Sequence, residues 1–308
     1  MAEYPAGLRY FSGVVNVMSA VNYPLITIGV SAYNRKDYLQ QSLDSLINQS
    51  YPNCEIIVVD DGSSDGTAEM MREKYPHIKY VYQNNAGDAA AKNHAARIAQ
   101  GEFIVFNDSD DLFLPDAVMN LYNALNNNKN ACSYGTYTTI DAQGNRLPTK
   151  RKAAVYPSGN ITGDLLEHIL VNSCATLIPL KLYQQFGGFN ENLKVAADYS
   201  FYLELSLVNE FYAVQEPVFL RRRHANNISS ASYKKIHTVL DVLEDFLQRH
   251  TELEAKYAQR IRRRRADLHN KLYREAAREK LAEQKKIHAR EAFKYIRSVR
   301  NFFRMIFG

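Results

Sequence analysis

Residues 54–67 read CEIIVVDDGSSDGT, and this stretch decides the fold. Ile56 to Val59 form an apolar run with no polar alternation, the signature of a strand buried on both faces, as in the middle of a parallel sheet. Asp60 and Asp61 then fall at its carboxyl end, the edge where open α/β sheets bind ligands. Gly62 to Gly66 supply a turn, and Asp65 with Thr67 caps a helix running from about Ala68 to Tyr75. For an isolated DDG, turn chemistry alone explains the aspartates equally well, so the flanking segments have to decide.

They alternate. PLITIGVSAYN predicts a strand over about Leu25 to Ser31, and YLQQSLDSLINQS a helix with Leu39, Leu43, Leu46 and Ile47 on one face. IKYVYQ predicts a third strand, AAAKNHAARIAQ a helix ended by Gly101, and EFIVFND a fourth strand. Such an order implies right-handed crossovers and a mostly parallel sheet with helices on both faces. The fourth strand repeats the pattern of the second, because FIVFNDSDDLFLPDAV also emerges directly into carboxylates, Asp108, Asp110 and Asp111. Two carboxylates one residue apart can converge on a hard divalent cation whose remaining ligands are diphosphate oxygens and water. One D-x-D is equally a set of helix caps; two acidic strand mouths in one sheet favour a polyphosphate and its metal.

Bulk properties agree. With 308 residues and 46% hydrophobic content the chain can build one large domain or two. Cys54, Cys132 and Cys174 have no metal-like spacing, which argues against a zinc site and for a reducing compartment. No uncharged apolar run reaches spanning length and no secretory pattern opens the sequence, so the expectation is a cytoplasmic protein. Residues 233–308 carry 20 Lys and Arg against 10 Asp and Glu, whereas residues 1–232 carry 18 against 23. With the loss of proline after Tyr233, this places a boundary near residue 230: an extension over 1–22, an α/β domain over 23–230 and a basic helical region over 231–308.

Over residues 23–230 the sequence resembles the family 2 glycosyltransferases, nucleotide-sugar-dependent enzymes of the GT-A fold. The resemblance is carried by ordered motifs: SAYNRKDYLQQSLDSLINQSYPNCEIIVVDDGSSDGT, QNNAGDAAAKNHA, FNDSDD, GGFNENLKVAADYSFYLEL and RRRHANNISS. It implies that Tyr33, Asn34 and Asp60 meet the nucleoside, with Asp61 in support, and that Asp108 and Asp110 handle Mn²⁺ or Mg²⁺ and the diphosphate. His224 matches a histidine that reaches the metal or diphosphate, and Arg222 or Arg223 would neutralise phosphate charge. Asn85 and Gly87 precede a helix whose N-terminus faces phosphate, with Lys92 inside it where the family more often has Arg. Asp198 matches the general base that takes the acceptor proton, but Ala197 stands where the family has Glu. Asp198 also reads as a helix cap, and a lone histidine is usually structural.

The expected activity is inverting, metal-dependent transfer of a sugar, from a UDP-sugar in the first instance, to a hydroxyl of a saccharide or lipid-linked saccharide in surface polysaccharide or glycolipid synthesis. A carboxylate such as Asp60 accepting an imide N–H favours uracil or thymine over adenine. Two alternatives remain at this stage. A nucleotidyltransferase would need a glycine-rich loop after its first strand, which VSAYNRKDY lacks; a non-catalytic scaffold on a degenerate transferase domain is suggested by Ala197. ACSYGTYTTIDAQGNRL reads as two strands around DAQGN, and HILVNSCATLIPLKLYQQFGGF as an acceptor-side wall and loop. In the basic region Ile236, Val239, Leu240, Leu243, Phe246 and Leu247 form a stripe for packing on the catalytic domain or a partner. The end sets Ile296, Val299, Phe303 and Ile306 against Arg297, Arg300 and Arg304, which suits either an interfacial helix at the inner face of an anionic membrane or a solvated bundle. No nucleic-acid recognition motif accompanies the charge.

Overall fold

The structure is a computed structural model describing residues 23–148, 155–224 and 232–307, without the side chains of Val299, Phe303 and Phe307. The 1–22 extension, most of the ANNISS stretch and those members of the terminal stripe therefore lie outside the described residues. In chain order the elements are β1 (Ile26–Ala32), α1 (Lys36–Ile47), β2 (Cys54–Asp60), α2 (Thr67–Lys74), β3 (Lys79–Tyr82), α3 (Asp88–Ile98), β4 (Phe103–Asp108), β5 (Leu112–Phe113), α4 (Ala117–Ala124) and β6 (Cys132–Ile140). There follow α5 (Thr162–Glu167), a 3-10 turn (Ser173–Ala175), β7 (Thr176–Pro179), α6 (Leu180–Gln185), α7 (Ala197–Ser206) and β8 (Phe211–Arg222). The helical end comprises α8 (Tyr233–Arg249), α9 (Glu252–Lys256), α10 (Ala258–Arg278), α11 (Ala282–Tyr295) and α12 (Val299–Phe307).

The sheet runs β3-β2-β1-β4-β7-β6-β8-β5. Its first four strands are parallel, as the βαβα order requires, and β7 then joins β4 antiparallel. The parallel expectation therefore holds for one half, and the other half is mixed. The register sets Ala32 opposite Asp60 and Ser31 opposite Asp108, so both acidic strand mouths flank the end of β1.

One face of the sheet packs against α1, α2 and α4 through Leu39, Leu43, Met70, Val118 and Leu121. Burial of a leucine such as Leu43, 0% exposed, is worth about 1.5–3 kcal/mol. The other face packs against α3, α5, α6, α7, α8 and α10, with Leu243, Phe246, Ile261 and Leu272 joining Phe106, Tyr134 and Tyr202 in one cluster. The stripe of α8 thus docks on the catalytic half, and one core crosses the 230 boundary.

Four local expectations are corrected. Ile47 is 43% exposed although it lies on the same face as Leu43, because it is the last residue of α1, one turn beyond the buried leucines. Helix α3 is followed by Ala99 in an extended conformation, and Gly101 is needed for a different reason: a Cβ there would stand 2.7 Å from Thr27 N and Phe103 O. DAQGN is a turn, Asp141 Oδ1 accepting from Gln143 N and Asn145 N, but among the described residues the chain beyond it makes a single bridge, Ile140 to Arg146, instead of a second strand. The TLIP segment, read as wall or loop, is β7 at the centre of the sheet, where its apolar residues are buried between β4 and β6.

Candidate active site

The loops after β1 and β2 are tied together. Asn34, at φ 50°, accepts from Ser64 N with its side-chain oxygen (2.8 Å) and donates its own N–H to Ser63 Oγ (2.9 Å). Asp65 accepts from Lys36 N at 2.9 Å and from Thr67 Oγ1 at 2.6 Å, and these bonds hold its carboxyl below the ordinary range against the opposing effect of burial. Tyr33, beside this tie, is half exposed and offers its ring at the sheet edge.

Asp60 is fully buried, accepting from Ser63 N at 2.8 Å and Tyr80 OH at 2.6 Å. Asp61 accepts from Gln83 Nε2 and Ala86 N through one oxygen and from Gly87 N through the other, each at 2.8 Å. Both therefore brace loops, and Asp61 fixes the turn that starts α3. Gly87 takes φ 100°, where a side chain would be strained, and Asn85 is exposed on the same turn.

The buried end of α3 brings the chemistry together. Lys92 is 3% exposed, and its ammonium lies 2.9 Å from Asp88, 2.7 Å from Asp108 and 3.3 Å from Ser173 Oγ. Burial acts to lower its pKa, but Asp108 and Asp88 hold it well above the usual lysine value. For Asp108, crowding by protein favours the neutral form and is outweighed by Lys92, so the carboxyl stays below its ordinary value. Asp88 also accepts from Ser31 Oγ at 2.5 Å. The neighbouring Asn93 is a brace, binding Tyr183 OH, Phe189 N and O, and Glu191.

The two carboxylates of the D-x-D point to different partners. Asp110 Oδ2 lies 3.2 Å from Arg35 and 2.7 Å from His224 Nε2, while the His224 ring stacks on Tyr38 at 5.1 Å. Asp111 donates its N–H to Asp108 O (3.0 Å), and this turn carries Asp111 round to the side of Asp108. The ligand atoms of Asp108, Asp111 and Cys174 lie within 4.8 Å of one another. Burial, then Asp108 and Asp110, push the Asp111 carboxyl well above the usual range, and burial pushes up the Cys174 thiol.

Arg222 has another role. Its guanidinium is fully buried, donating to Asp110 O (2.9 Å), Ala142 O (3.1 Å) and Gln41 Oε1 (2.9 Å) and lying 4.8 Å over the Tyr38 ring, while its N–H reaches Asp111 Oδ1 at 2.8 Å. It fastens β8 to the D-x-D turn. Arg223 is exposed, and its N–H donates to Ile140 O.

Asp198 occupies the first turn of α7. The N-cap is Ala196, at φ 62° and without a side-chain bond to the helix, so Asp198 is not the cap; it accepts from its neighbour Tyr199 N at 2.8 Å. Burial raises its pKa, Lys92 pulls it down, and Asp108 and Asp88 add to the rise. Asp198, Lys92, Asp108 and Asp88 thus share one electrostatic environment. Sequence reasoning gives no task to Arg35 in YNRKDY or to the Ser173–Cys174 pair, since Ser173 reaches Lys92 and Cys174 reaches Asp108 only through the path of the 3-10 turn into β7.

The profile of Glycosyl transferase family 2 matches residues 27–183, about half the chain. The chain is a family 2 glycosyl transferase. An uncharacterized glycosyltransferase of Rickettsia prowazekii is 30% identical over 235 residues, 75% of this chain and 74% of that one. Chondroitin synthase of Escherichia coli is 31% identical over 210 residues, covering 67% of this chain but only 30% of the synthase. Among solved structures, S. aureus TarS 1–349 in complex with UDP-GlcNAc superposes with a TM-score of 0.59 at 18% identity, over 91% of this transferase and 89% of TarS. The mannosyltransferase PcManGT of Pyrobaculum calidifontis, in complex with GDP-Man and Mn²⁺, gives 0.58 at 16% identity, over 92% and 78%. The fold is thus GT-A-like, and membership lies with sugar transferases, not nucleotidyltransferases.

Proposed function

We propose that the transferase moves a sugar, with inversion, from a nucleoside-diphosphate sugar to a hydroxyl of a saccharide acceptor in surface polysaccharide or glycolipid synthesis. The observation that carries the reading is the shared environment of Lys92, Asp108, Asp88 and Asp198 at the carboxyl edge of the sheet. The acceptor oxygen attacks sugar C1, the bond from C1 to the phosphate oxygen breaks, and the nucleoside diphosphate departs with the bonding electrons. Asp198 takes the hydroxyl proton; its raised pKa makes it a stronger base than an exposed aspartate. Tyr33 offers a ring for the base to stack on. UDP is the favoured nucleotide, supported by the UDP-GlcNAc complex of TarS.

A divalent cation suits the donor set. Asp108, Asp110 and Asp111 crowd three carboxylates into one turn, an excess of hard oxygen donors, whereas the buried Cys174 thiol with its raised pKa is no thiolate ligand. Asp108 with Asp110 or Asp111 would hold Mn²⁺ or Mg²⁺, which supplies positive charge for the departing diphosphate when bound. Arg35 and His224 gather at Asp110, and the Arg35 guanidinium adds positive charge there. Calorimetric titration of UDP with and without Mn²⁺ tests the reading: the cation should tighten UDP in the wild type and have no effect in Asp110→Ala. Equal tightening in both would refute the role of Asp110, and an absence of UDP binding under all conditions would refute the donor.

A further inference from the structure

The run Arg260–Arg265 contains five arginines, and four are paired with carboxylates inside the protein. Arg260 lies 2.6 Å from Asp164 and Arg263 3.3 Å from Glu167, both on α5. Arg264 is 3.8 Å from Asp267, and Arg265 is 2.6 Å from both Glu244 and Glu254. Arg262 has no ion pair among the described residues. At two positions beyond Arg260 it lies about 200° round the helix, away from the face that docks on α5. There it lines a cavity of about 480 Å³ with Lys294, Tyr295 and Arg297. Arg297 is likewise without an ion pair among the described residues, and Lys294 has Glu291 at 3.6 Å. Positive charge is therefore concentrated in one concavity and left largely unneutralised, while the rest of the run is matched.

Exposed apolar residues accompany it in the same stretch of chain. Ile296 stands between two lining residues and is 36% exposed, and Ile306 on α12 is 53% exposed. The opposite side of α12 is anchored, with Asn301 donating to Ala292 O and Ile296 O (both 3.0 Å) and the Arg304 guanidinium 4.9 Å over the Tyr273 ring. The helix is thus held on one face and presents isoleucine to solvent on another.

We propose that this surface docks on anionic phospholipid: Arg262, Lys294 and Arg297 receive a headgroup phosphate in the cavity, and Ile296 and Ile306 enter the acyl boundary. Charge complementarity selects the anion, and apolar side chains beside the cations select a lipid surface over a soluble polyanion, which gains nothing from them. Because Arg260 and Arg263 clamp α10 to α5, docking also fixes the orientation of the catalytic half above the membrane. The inference does not depend on the donor or the reaction.

The test is co-sedimentation of the full chain with phosphatidylcholine vesicles with and without phosphatidylglycerol, at low and high salt. The wild type should pellet only with phosphatidylglycerol, and less at high salt. Arg262→Ala with Arg297→Ala should weaken binding about 25-fold, at about fivefold per charge, and Ile306→Asp should weaken it independently. Lys181→Ala, an exposed cation of the catalytic half, should bind as wild type. Circular dichroism checks that each variant is folded. The proposal is overturned if the wild type ignores phosphatidylglycerol at low salt or the double variant pellets normally. It is equally overturned if inorganic phosphate binds the cavity without vesicle binding, or if RNA displaces the vesicles while Ile306→Asp has no effect.

Discussion

Replacing Lys92 by Met removes the ammonium while keeping an unbranched stem of similar length in its slot. Breaking a fully buried ion pair by removing one partner costs about 3–5 kcal/mol. Here the lysine side chain is 4% exposed, but those of Asp108 and Asp88 are 43% and 42% exposed, so water reaches both carboxylates once the cation is gone. The loss should therefore fall to about 1.5–3 kcal/mol, the range for hydrogen bonds to charged groups, and urea unfolding at pH 7 would read it as a lower midpoint at unchanged slope. The sign of the pH dependence is fixed by the shifts. Asp108, depressed by Lys92, contributes stability that is complete above the unfolded aspartate value of about 3.9 and is lost as pH falls through the lower folded value. Lys92, raised by its partners, contributes stability that is complete below about 10.4 and is lost as pH rises through its folded value. The gap between wild type and Lys92→Met should therefore be widest between these limits and close at both ends. Equal stability at pH 7, or a gap that stays constant from pH 7 to pH 3, would refute the reasoning.

Asp198→Asn should keep UDP affinity and lower transfer by about 10²- to 10⁴-fold. Because burial raises the Asp198 carboxyl, its contribution to stability is lost as pH rises through the folded value, so at neutral pH the Asn variant should unfold at the same or a higher urea concentration; a clear loss of stability would mark a structural role. Arg222→Ala should destabilise the fold by about 3 kcal/mol or more, because it leaves buried carbonyls unmatched; a stable variant that loses only UDP binding would return Arg222 to a phosphate role. His269 and His288, 2.9 Å apart through their Nδ1 atoms with Tyr233 OH on the far side of His288, are held down at about pKa 4 by burial. Their contribution is complete above about pH 6.5 and is lost as pH falls toward 4, so hydrogen exchange in α10 and α11 should rise over that window in the wild type and rise less steeply in a His288→Gln variant, which keeps only His269.

The apolar runs Ile56–Val59 and Phe103–Phe106, each ending in aspartate, determined on their own that a parallel sheet would carry carboxylates at one edge. Burial on both faces leaves no polar alternation, and the side-chain period of a strand fixes where the run must end. The helical end was equally legible, since the spacing of Leu240, Leu243, Phe246 and Leu247 already defines a buried stripe. Asp198 was placed by its motif. Tertiary structure decided which carboxylates share a neighbour. Asp108 and Asp110 are adjacent in the motif yet face Lys92 and the Arg35–His224 pair respectively, because the turn from Asp108 to Asp111 rotates one side chain away from the other. Cys174 reaches Asp108 across more than sixty residues of chain and Ser173 reaches Lys92, because β7 inserts beside β4, a pairing between distant segments that no local period encodes. The same holds for the basic run: composition gives its charge, but only packing shows that four arginines of Arg260–Arg265 are met by carboxylates from α5, α8, α9 and α10 itself and that Arg262 faces the cavity. Charge is a property of the sequence, and its neutralisation depends on distances set by the fold.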